Sequence, residues 1–193
     1  MTFDKAMFYK TVRSTLLGPT LDDGEVAGCE AILAAMAGTP LSHCAYALAT
    51  AYKETARKMT PVIEAFWLSE DWRKTHLRYY PWYGRGLVQL TWDFNYRKAD
   101  AELGAAGLIE PGALVADADL ALRVDVAAYI MRCGMEKGWF SAGHSLSAHL
   151  PNKTATLEEY ESARHIINGV DCKHEIAVYA MQFQDALLAG GWE

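Results

Sequence analysis

Apolar residues recur at helical spacing along most of the chain. Phe8, Val12 and Leu16, for example, are each four residues apart, which places them on one helical face. With the caps and breakers that flank them, these patterns predict helices over Asp4–Leu17, from Asp22 or Asp23 to Ala37, over roughly His43–Arg57 with Ser42 as its cap, and over Asp117–Lys137, Thr156–Ile167 and Asp171–Leu188. The sequence therefore predicts a mainly α-helical protein.

The pattern changes between Thr60 and Tyr96, where prolines and glycines interrupt it. Aromatic residues stand side by side, as at Tyr79-Tyr80 and Trp82-Tyr83, rather than at helical spacing. Rigid aromatic rings beside polar groups suit a sugar-binding cleft, although they would also suit the filling of an irregular lobe. Within this segment, the alternation over Leu87–Trp92 predicts a strand that carries Gln89 and Thr91 on one face.

Length and composition indicate one globular domain over residues 1–193. The chain is 51% apolar and 22% charged, which excludes a disordered chain. Its net charge is −6 and no block of basic residues is present, so nucleic acid is not an expected partner. The cysteines are far apart and form no CxxC pair, so we expect reduced thiols in a cytoplasmic protein: Cys29, Cys44, Cys133 and Cys172.

No segment predicts membrane insertion or a metal site. The N-terminus lacks the apolar run and the cleavage site of a signal peptide, and the uncharged stretch Ala31–Tyr52 is interrupted by Gly38-Thr39-Pro40. The histidines show no spacing typical of metal ligands, and His144 and His149 are expected at the surface. We expect neither a metal nor a cofactor.

Two glutamates are candidates for acid–base chemistry. Glu54 is the first carboxylate after more than twenty residues and lies near the end of an apolar helix, a setting that favours a proton-carrying acid. Glu64 follows after Pro61 and can face Glu54 across a groove. An inverting glycosidase needs two such carboxylates roughly 6.5–9.5 Å apart, with water between base and sugar. Equally, Glu54 could be a solvated residue at a fraying helix end.

A longer motif gives this pair a context. Glu54-Thr55 at the end of an apolar helix, then Glu64, then YGRGLVQLTWDFNY over residues 83–96 resembles the glycoside hydrolase family 19 chitinases and their relatives among phage endolysins. The later segment Ile166-Ile167-Asn168-Gly169 is similar to an Ile-Asn-Gly segment of that family. The resemblance covers about a third of the chain, and the phage type is the more similar because the chain is short and lacks the cysteines of secreted plant enzymes.

The resemblance implies a lysozyme-like, two-lobed helical domain with at most a small β-hairpin near the cleft. It implies that Glu54 is the general acid, that Glu64 is the general base, and that Thr91 helps to hold the attacking water. Further implied roles are hydrogen bonds to the sugar from Gln89, Asn95 and Asn168, and shaping of the cleft floor by Tyr83 and Arg85, where Arg85 can pair with a carboxylate.

The chain departs from the family pattern around these residues. Lys53 stands where the family commonly has His, and Ala56-Arg57 stands where Gly-Gly often follows Glu-Thr. The family is expected to have a cation that supports the carboxylates one turn beyond the Ile-Asn-Gly segment. The candidate here is Lys173, because Glu175 stands at the more conventional position of that cation. Because Glu70 and Asp71 lie close to Glu64 in sequence, the identity of the base stays open between these acids.

The expected function is hydrolysis of β-1,4 bonds between N-acetylhexosamines in bacterial peptidoglycan by a monomeric endolysin. Such an enzyme would accumulate in the host cytoplasm and reach the cell wall through a holin-type pore. Two alternatives remain open, a chitinase acting on N-acetylglucosamine polymers and a non-catalytic glycan-binding protein of the same fold.

Overall fold

A computed structural model describes residues 3–193, and over these residues the fold is mainly helical. The helices are α1 (Lys5–Thr15), α2 (Asp23–Ala35), α3 (Leu41–Glu54), α4 (Glu70–His76), α5 (Asp93–Ala105), α6 (Ala113–Ala116), α7 (Val124–Lys137), α8 (Leu146–His149), α9 (Leu157–Ala163) and α10 (Lys173–Ala189). Two short strands, β1 (Val62–Ile63) and β2 (Arg85–Gly86), pair antiparallel, with Val62 opposite Gly86. The mainly α-helical prediction is confirmed.

Apolar side chains form two separate cores. The larger core surrounds α3, in which every residue from Leu41 to Tyr52 is buried, and it draws on α1, α2 and α10. The smaller core joins α5 and α6 to residues such as Val126 and Ile130 of α7. Because α7 also contributes Met131 and Met135 to the larger core, this helix belongs to both lobes.

Local capping signals locate the first two helices. Asp4 caps α1 by accepting a hydrogen bond from Met7 N. Asp22 caps α2 in a reciprocal arrangement with Glu25, in which each side chain accepts a hydrogen bond from the other residue's backbone N–H. In α3, by contrast, the predicted cap was wrong: Ser42 lies inside the helix and donates to the carbonyl of Asn152 at 2.6 Å.

Two predicted elements were wrong because tertiary contacts override the local pattern. Asp117–Lys137 is not one helix: a 3₁₀ turn over Ala118–Leu122 precedes α7, and Arg123 between them is extended. The break allows Asp119 to pair with Arg85 at 2.7 Å. Leu87–Trp92 is not a strand, since β2 ends at Gly86 and the chain then turns.

The uncharged stretch from residue 31 to 52 is divided between α2 and α3. Among residues 3–193, no helix combines the length and the apolar character that crossing a bilayer requires. All four cysteines are free thiols, and three of them are buried.

Three histidines stack on one another beside α8 and α9. The rings of His144, His149 and His165 lie 5.1–6.2 Å apart and within 23° of parallel. His149 hydrogen-bonds to His144 at 2.8 Å and to Ser162 of α9 at 2.9 Å. Burial lowers the pKa of His149, and the neighbouring rings of His144 and His165 lower it further. The stack therefore favours the neutral imidazole of His149.

This histidine stack predicts a loss of stability in mild acid. The pKa of His149 in the folded state lies below the usual histidine value of about 6.5. As the pH falls, the unfolded chain therefore takes up a proton at this residue before the folded protein does. The stabilisation is present above about pH 6.5 and is lost as the pH falls through the folded-state pKa. Burial also lowers the pKa of His43, which acts in the same direction.

The measurement is Tm between roughly pH 7.5 and pH 5, above the range in which most carboxylates titrate. We expect Tm of the wild type to fall across this range and Tm of His149→Gln to fall less. His76→Gln, at an exposed site on α4, is the control. An equal fall in wild type and His149→Gln would contradict the prediction.

Candidate active site

Glu54 is the last residue of α3, so the buried helix fixes its backbone against the larger core. Its Oε1 accepts a hydrogen bond from Nη1 of Arg164 at 3.0 Å. The Arg164 side chain is 3% exposed and is held in turn by a bond from its Nε to the carbonyl of Asp171. The other carboxylate oxygen, Oε2, has no donor among residues 3–193. One oxygen of Glu54 is therefore anchored and the other is open.

Arg164 is the site residue that the sequence analysis missed. It lies two residues before Ile166, the start of the segment that was recognised, but it is 110 residues from Glu54 in the chain. No periodicity reports a contact over that separation. The cation expected there, Lys173, instead pairs with Glu161 at 3.3 Å and is about half exposed.

Lys53 has a partner of its own beside the site. Its ammonium lies 2.6 Å from Glu175, which also accepts a hydrogen bond from Tyr179. The hydrogen bond from Lys53 is the largest cause of a lowered pKa at Glu175. The residue that departs from the family pattern is thus neutralised within the fold.

Glu64 follows β1 directly and is bound through both its backbone and its side chain. Its backbone N–H donates to the carbonyl of Gly84, and the N–H of Gly84 donates back to Oε2, both at 2.8 Å. The hydroxyl of Tyr79 donates to Oε1 at 2.6 Å. Burial, followed by the contact with Glu64, raises the pKa of Tyr79 to about 12, so the hydroxyl keeps its proton. These donors fix the orientation of the Glu64 side chain.

Gly84 lies in close contact with the side chains that surround it. A Cβ added there would lie 2.7 Å from Oε1 of Gln89 and 3.2 Å from Oε2 of Glu64. The first glycine of the YGRG motif therefore has a steric explanation: a larger residue would displace the Gln89 amide and crowd Glu64.

Gln89, Thr91 and Asn95 organise the turn that follows β2. Gln89 has a left-handed backbone (φ 54°) and its Nε2 donates to the carbonyl of Val62 at 3.1 Å. Thr91 donates to the carbonyl of Gln89, and Nδ2 of Asn95 donates to the carbonyl of Thr91. Oδ1 of Asn95 is buried and has no partner among the described residues, so it remains available as an acceptor.

These residues surround two adjoining depressions that share Glu54 and Gln89. The first, of ≈ 650 Å³, also contains Glu64 together with Phe66 and Trp67, and we call it the carboxylate groove. The second, of ≈ 500 Å³, we call the amide depression; beside Glu54 and Gln89 it is lined by Thr91, Asn95 and Asn168, among others. The two together form the cleft. Phe66 and Trp67 are 64% and 71% exposed, so they offer bare aromatic surface to a ligand.

Tyr83 and Arg85 do not line the cleft. Both are buried, and they border a separate depression with Glu70 and Asp119. The guanidinium of Arg85 lies 3.7 Å from the centre of the Tyr83 ring and pairs with Asp119, while Tyr83 donates to Glu70. Arg85 begins β2 and Tyr83 lies just before it, so both side chains serve the packing of this segment rather than the lining of the cleft.

No group of three or more His, Cys, Asp or Glu residues within residues 3–193 is arranged to hold a metal. The cleft instead offers two differently held carboxylates, side-chain amides and aromatic rings.

Comparisons with known proteins place this geometry in a known architecture. No protein-family model matches the sequence, and no curated protein matches it either. Among solved structures, chitinase C from Streptomyces griseus HUT6037 aligns at 20% identity and a TM-score of 0.60, over 96% of this chain and 76% of that one. The chain shares the fold of a chitinase. The lysozyme-like helical fold expected from the sequence is thereby confirmed.

Two further solved structures support the same assignment of fold. A point mutant of chitinase C aligns at 18% identity and a TM-score of 0.61, over 96% of this chain and 92% of that one. A bacterial family 19 chitinase aligns at 20% identity and a TM-score of 0.51, over 99% of this chain and 96% of that one. At these identities the similarity establishes the architecture, and function has to be argued from the site.

Proposed function

We propose that the protein is a glycoside hydrolase that cleaves β-1,4 bonds between N-acetylhexosamines with inversion at the anomeric carbon. The observation that carries the proposal is the presence of Glu54 and Glu64 in one open groove, held in different ways by different elements. An inverting glycosidase uses two carboxyl groups beside the bound sugar, one as general acid and the other as general base. The shared fold with chitinases and the exposed rings of Phe66 and Trp67 agree with a polysaccharide ligand.

Glu54 is the proposed general acid. Arg164 anchors Oε1, which leaves Oε2 as the oxygen that delivers a proton to the glycosidic oxygen as the bond to the anomeric carbon breaks. The buried arginine then stabilises the carboxylate that the acid leaves behind, through a charge-assisted hydrogen bond.

Glu64 is the proposed general base. It would take a proton from a water molecule as that water attacks the anomeric carbon from the face opposite the leaving group. Tyr79 and Gly84 hold its two oxygens and so aim the side chain. The Thr91 hydroxyl donates to the backbone, but its oxygen can still accept a hydrogen bond from the attacking water.

The amide depression is the proposed site for sugar hydroxyl and N-acetyl groups. Oδ1 of Asn95 can accept a hydrogen bond from an acetamido N–H, and Asn168 can donate to or accept from the same sugar. For the polymer itself we propose bacterial peptidoglycan, which would make the protein an endolysin that crosses the inner membrane through a holin-type pore. Chitin, the substrate named for the structural relatives, is the alternative that the experiment includes.

The test is release of reducing ends from purified peptidoglycan and, in parallel, from chitin oligosaccharides. We expect hydrolysis, and NMR of the first product should show the α-anomer before mutarotation, because inversion of a β-bond gives that product. A β-anomer as first product would contradict the mechanism. A folded protein that is inactive on both polymers but binds them would instead be a glycan-binding protein.

A further inference from the structure

We propose that Lys58 and Arg78 bind carboxylate groups of the substrate in the two depressions that meet at Glu54, and so make the enzyme selective for an acidic N-acetylhexosamine polymer. This inference rests on the proposed hydrolase function and names the chemical class of its substrate. Lys58 lines the carboxylate groove and Arg78 lines the amide depression. A glycan that occupied both depressions would therefore meet one cation on each side of the acid.

Lys58 projects from a segment whose backbone is held firmly. Just after α3, the hydroxyl of Thr55 accepts a hydrogen bond from Met59 N at 2.8 Å, and the Met59 side chain is fully buried. The Met59 carbonyl packs on Gly28 of α2 so closely that a Cβ on Gly28 would lie 1.9 Å from it. Lys58 itself is exposed, so a fixed backbone presents a free ammonium to the groove.

Arg78 is positioned by an aromatic face. Its guanidinium lies 5.1 Å from the ring centre of Trp92, whose ring in turn packs against Tyr79 at 5.0 Å. Stacking on an indole restrains a guanidinium while leaving its N–H edges free. Those N–H groups have no acceptor among the described residues and Arg78 is exposed, so they are open to solvent and can bind a ligand carboxylate.

The cations close to the acid differ from these two. Arg164 pairs with Glu54, and Lys53 pairs with Glu175, so the fold neutralises both. Lys58 and Arg78 have no carboxylate within ion-pair distance over residues 3–193. A neutral sugar that covers an unpaired cation removes water without replacing the lost solvation, whereas a carboxylate restores it.

This difference distinguishes the two candidate polymers. Chitin carries only hydroxyl and neutral acetamido groups. Peptidoglycan carries a lactyl ether on alternate sugars, and the lactyl or peptide carboxylates make the polymer an anion. Since the protein as a whole has a net charge of −6, attraction of an anionic polymer has to come from local cations such as these.

The experiment compares kcat/KM on soluble peptidoglycan fragments and on chitin oligosaccharides for wild type, Lys58→Gln, Arg78→Gln and the double variant. We expect each single change to lower the ratio of kcat/KM on peptidoglycan fragments to kcat/KM on chitin oligosaccharides by about tenfold, because a hydrogen bond to a charged group is lost only with the acidic substrate. Amidation of the fragment carboxylates should lower the wild-type rate in the same way and affect the double variant little. The wild-type preference for the acidic fragments should also weaken as salt increases.

Lys10→Gln, on α1 and away from the cleft, is the matched control for loss of a positive charge. Equal losses on the two substrates, or no loss on either, would overturn the inference. Cleavage of chitin oligosaccharides alone by the wild type would overturn it too, while leaving the hydrolase function intact. If the wild type cleaves neither, the proposed function fails, and calorimetric binding then decides the inference: a wild-type preference for the acidic fragment, lost in the double variant, supports it, and equal binding overturns it.

Discussion

Glu54→Gln is expected to lower hydrolysis of a polysaccharide substrate by about 10²–10⁴-fold, the range that general acid–base groups contribute. Glutamine cannot supply the proton, but its amide oxygen can still accept the hydrogen bond from Arg164, so the variant should remain folded. The measurement is kcat on oligosaccharides, with circular dichroism and Tm as checks on folding. Glu110→Gln, at an exposed site, is the matched control.

The leaving group gives this prediction a sharper form. An aryl glycoside whose phenol departs without protonation does not need an acid, so Glu54→Gln should lose far less activity on it than on an oligosaccharide. A variant that retained wild-type rates on oligosaccharides would exclude Glu54 as the acid. Equal losses on both substrates would show that the residue acts by some means other than protonation.

Glu64→Ala is expected to cause a loss of similar size, about 10²–10⁴-fold, because no group then accepts the proton of the attacking water. The space left by the side chain should admit azide, which attacks without deprotonation. We therefore expect azide to restore turnover with an α-glycosyl azide as product. Glu54→Gln should show no such rescue on oligosaccharides.

Glu70 is the control that decides the identity of the base. Its carboxylate accepts hydrogen bonds from Arg73 and Tyr83, and it borders the separate depression lined by Tyr83 and Arg85 rather than the cleft. Glu70→Gln should therefore keep most of the activity. Azide rescue in Glu70→Ala and its absence in Glu64→Ala would transfer the role of base to Glu70.

Sequence reasoning succeeded where the determinants are local. The caps Asp4 and Asp22 and the apolar spacing of the first helices are satisfied within a few residues, and these helices lie within two residues of their predicted bounds. The prediction for α3 ran three residues too far, because Ala56 and Arg57 adopt left-handed backbones (φ 51° and 73°). Residues other than glycine rarely do so, and nothing in the sequence indicates it.

The candidate site shows the same difference between residues that a local motif indicates and residues whose role depends on distant contacts. Gln89 belongs to the short motif over residues 83–96, Glu64 was assigned by resemblance, and the structure places both side chains next to Gly84. The role of Arg164 depends on one contact between distant segments, which no spacing encodes. The resemblance assigned Arg85 to the cleft floor. In the structure Arg85 pairs instead with Asp119 of the 3₁₀ turn before α7 and borders a separate depression. Motifs identify residue types, but the partner of each side chain is set by packing.

Two parts of the lining of the carboxylate groove differ in how much stability a substitution costs. Glu54 ends a helix buried from Leu41 to Tyr52, where a smaller side chain opens a cavity and costs about 2–5 kcal/mol. Phe66 and Trp67, which line the same groove, are exposed and can change without loss of core packing. Sequence change should therefore be tolerated more readily at the exposed rings that line this groove than along the buried helix that ends at Glu54, so ligand preference can diverge among proteins of this fold while the position of Glu54 is kept.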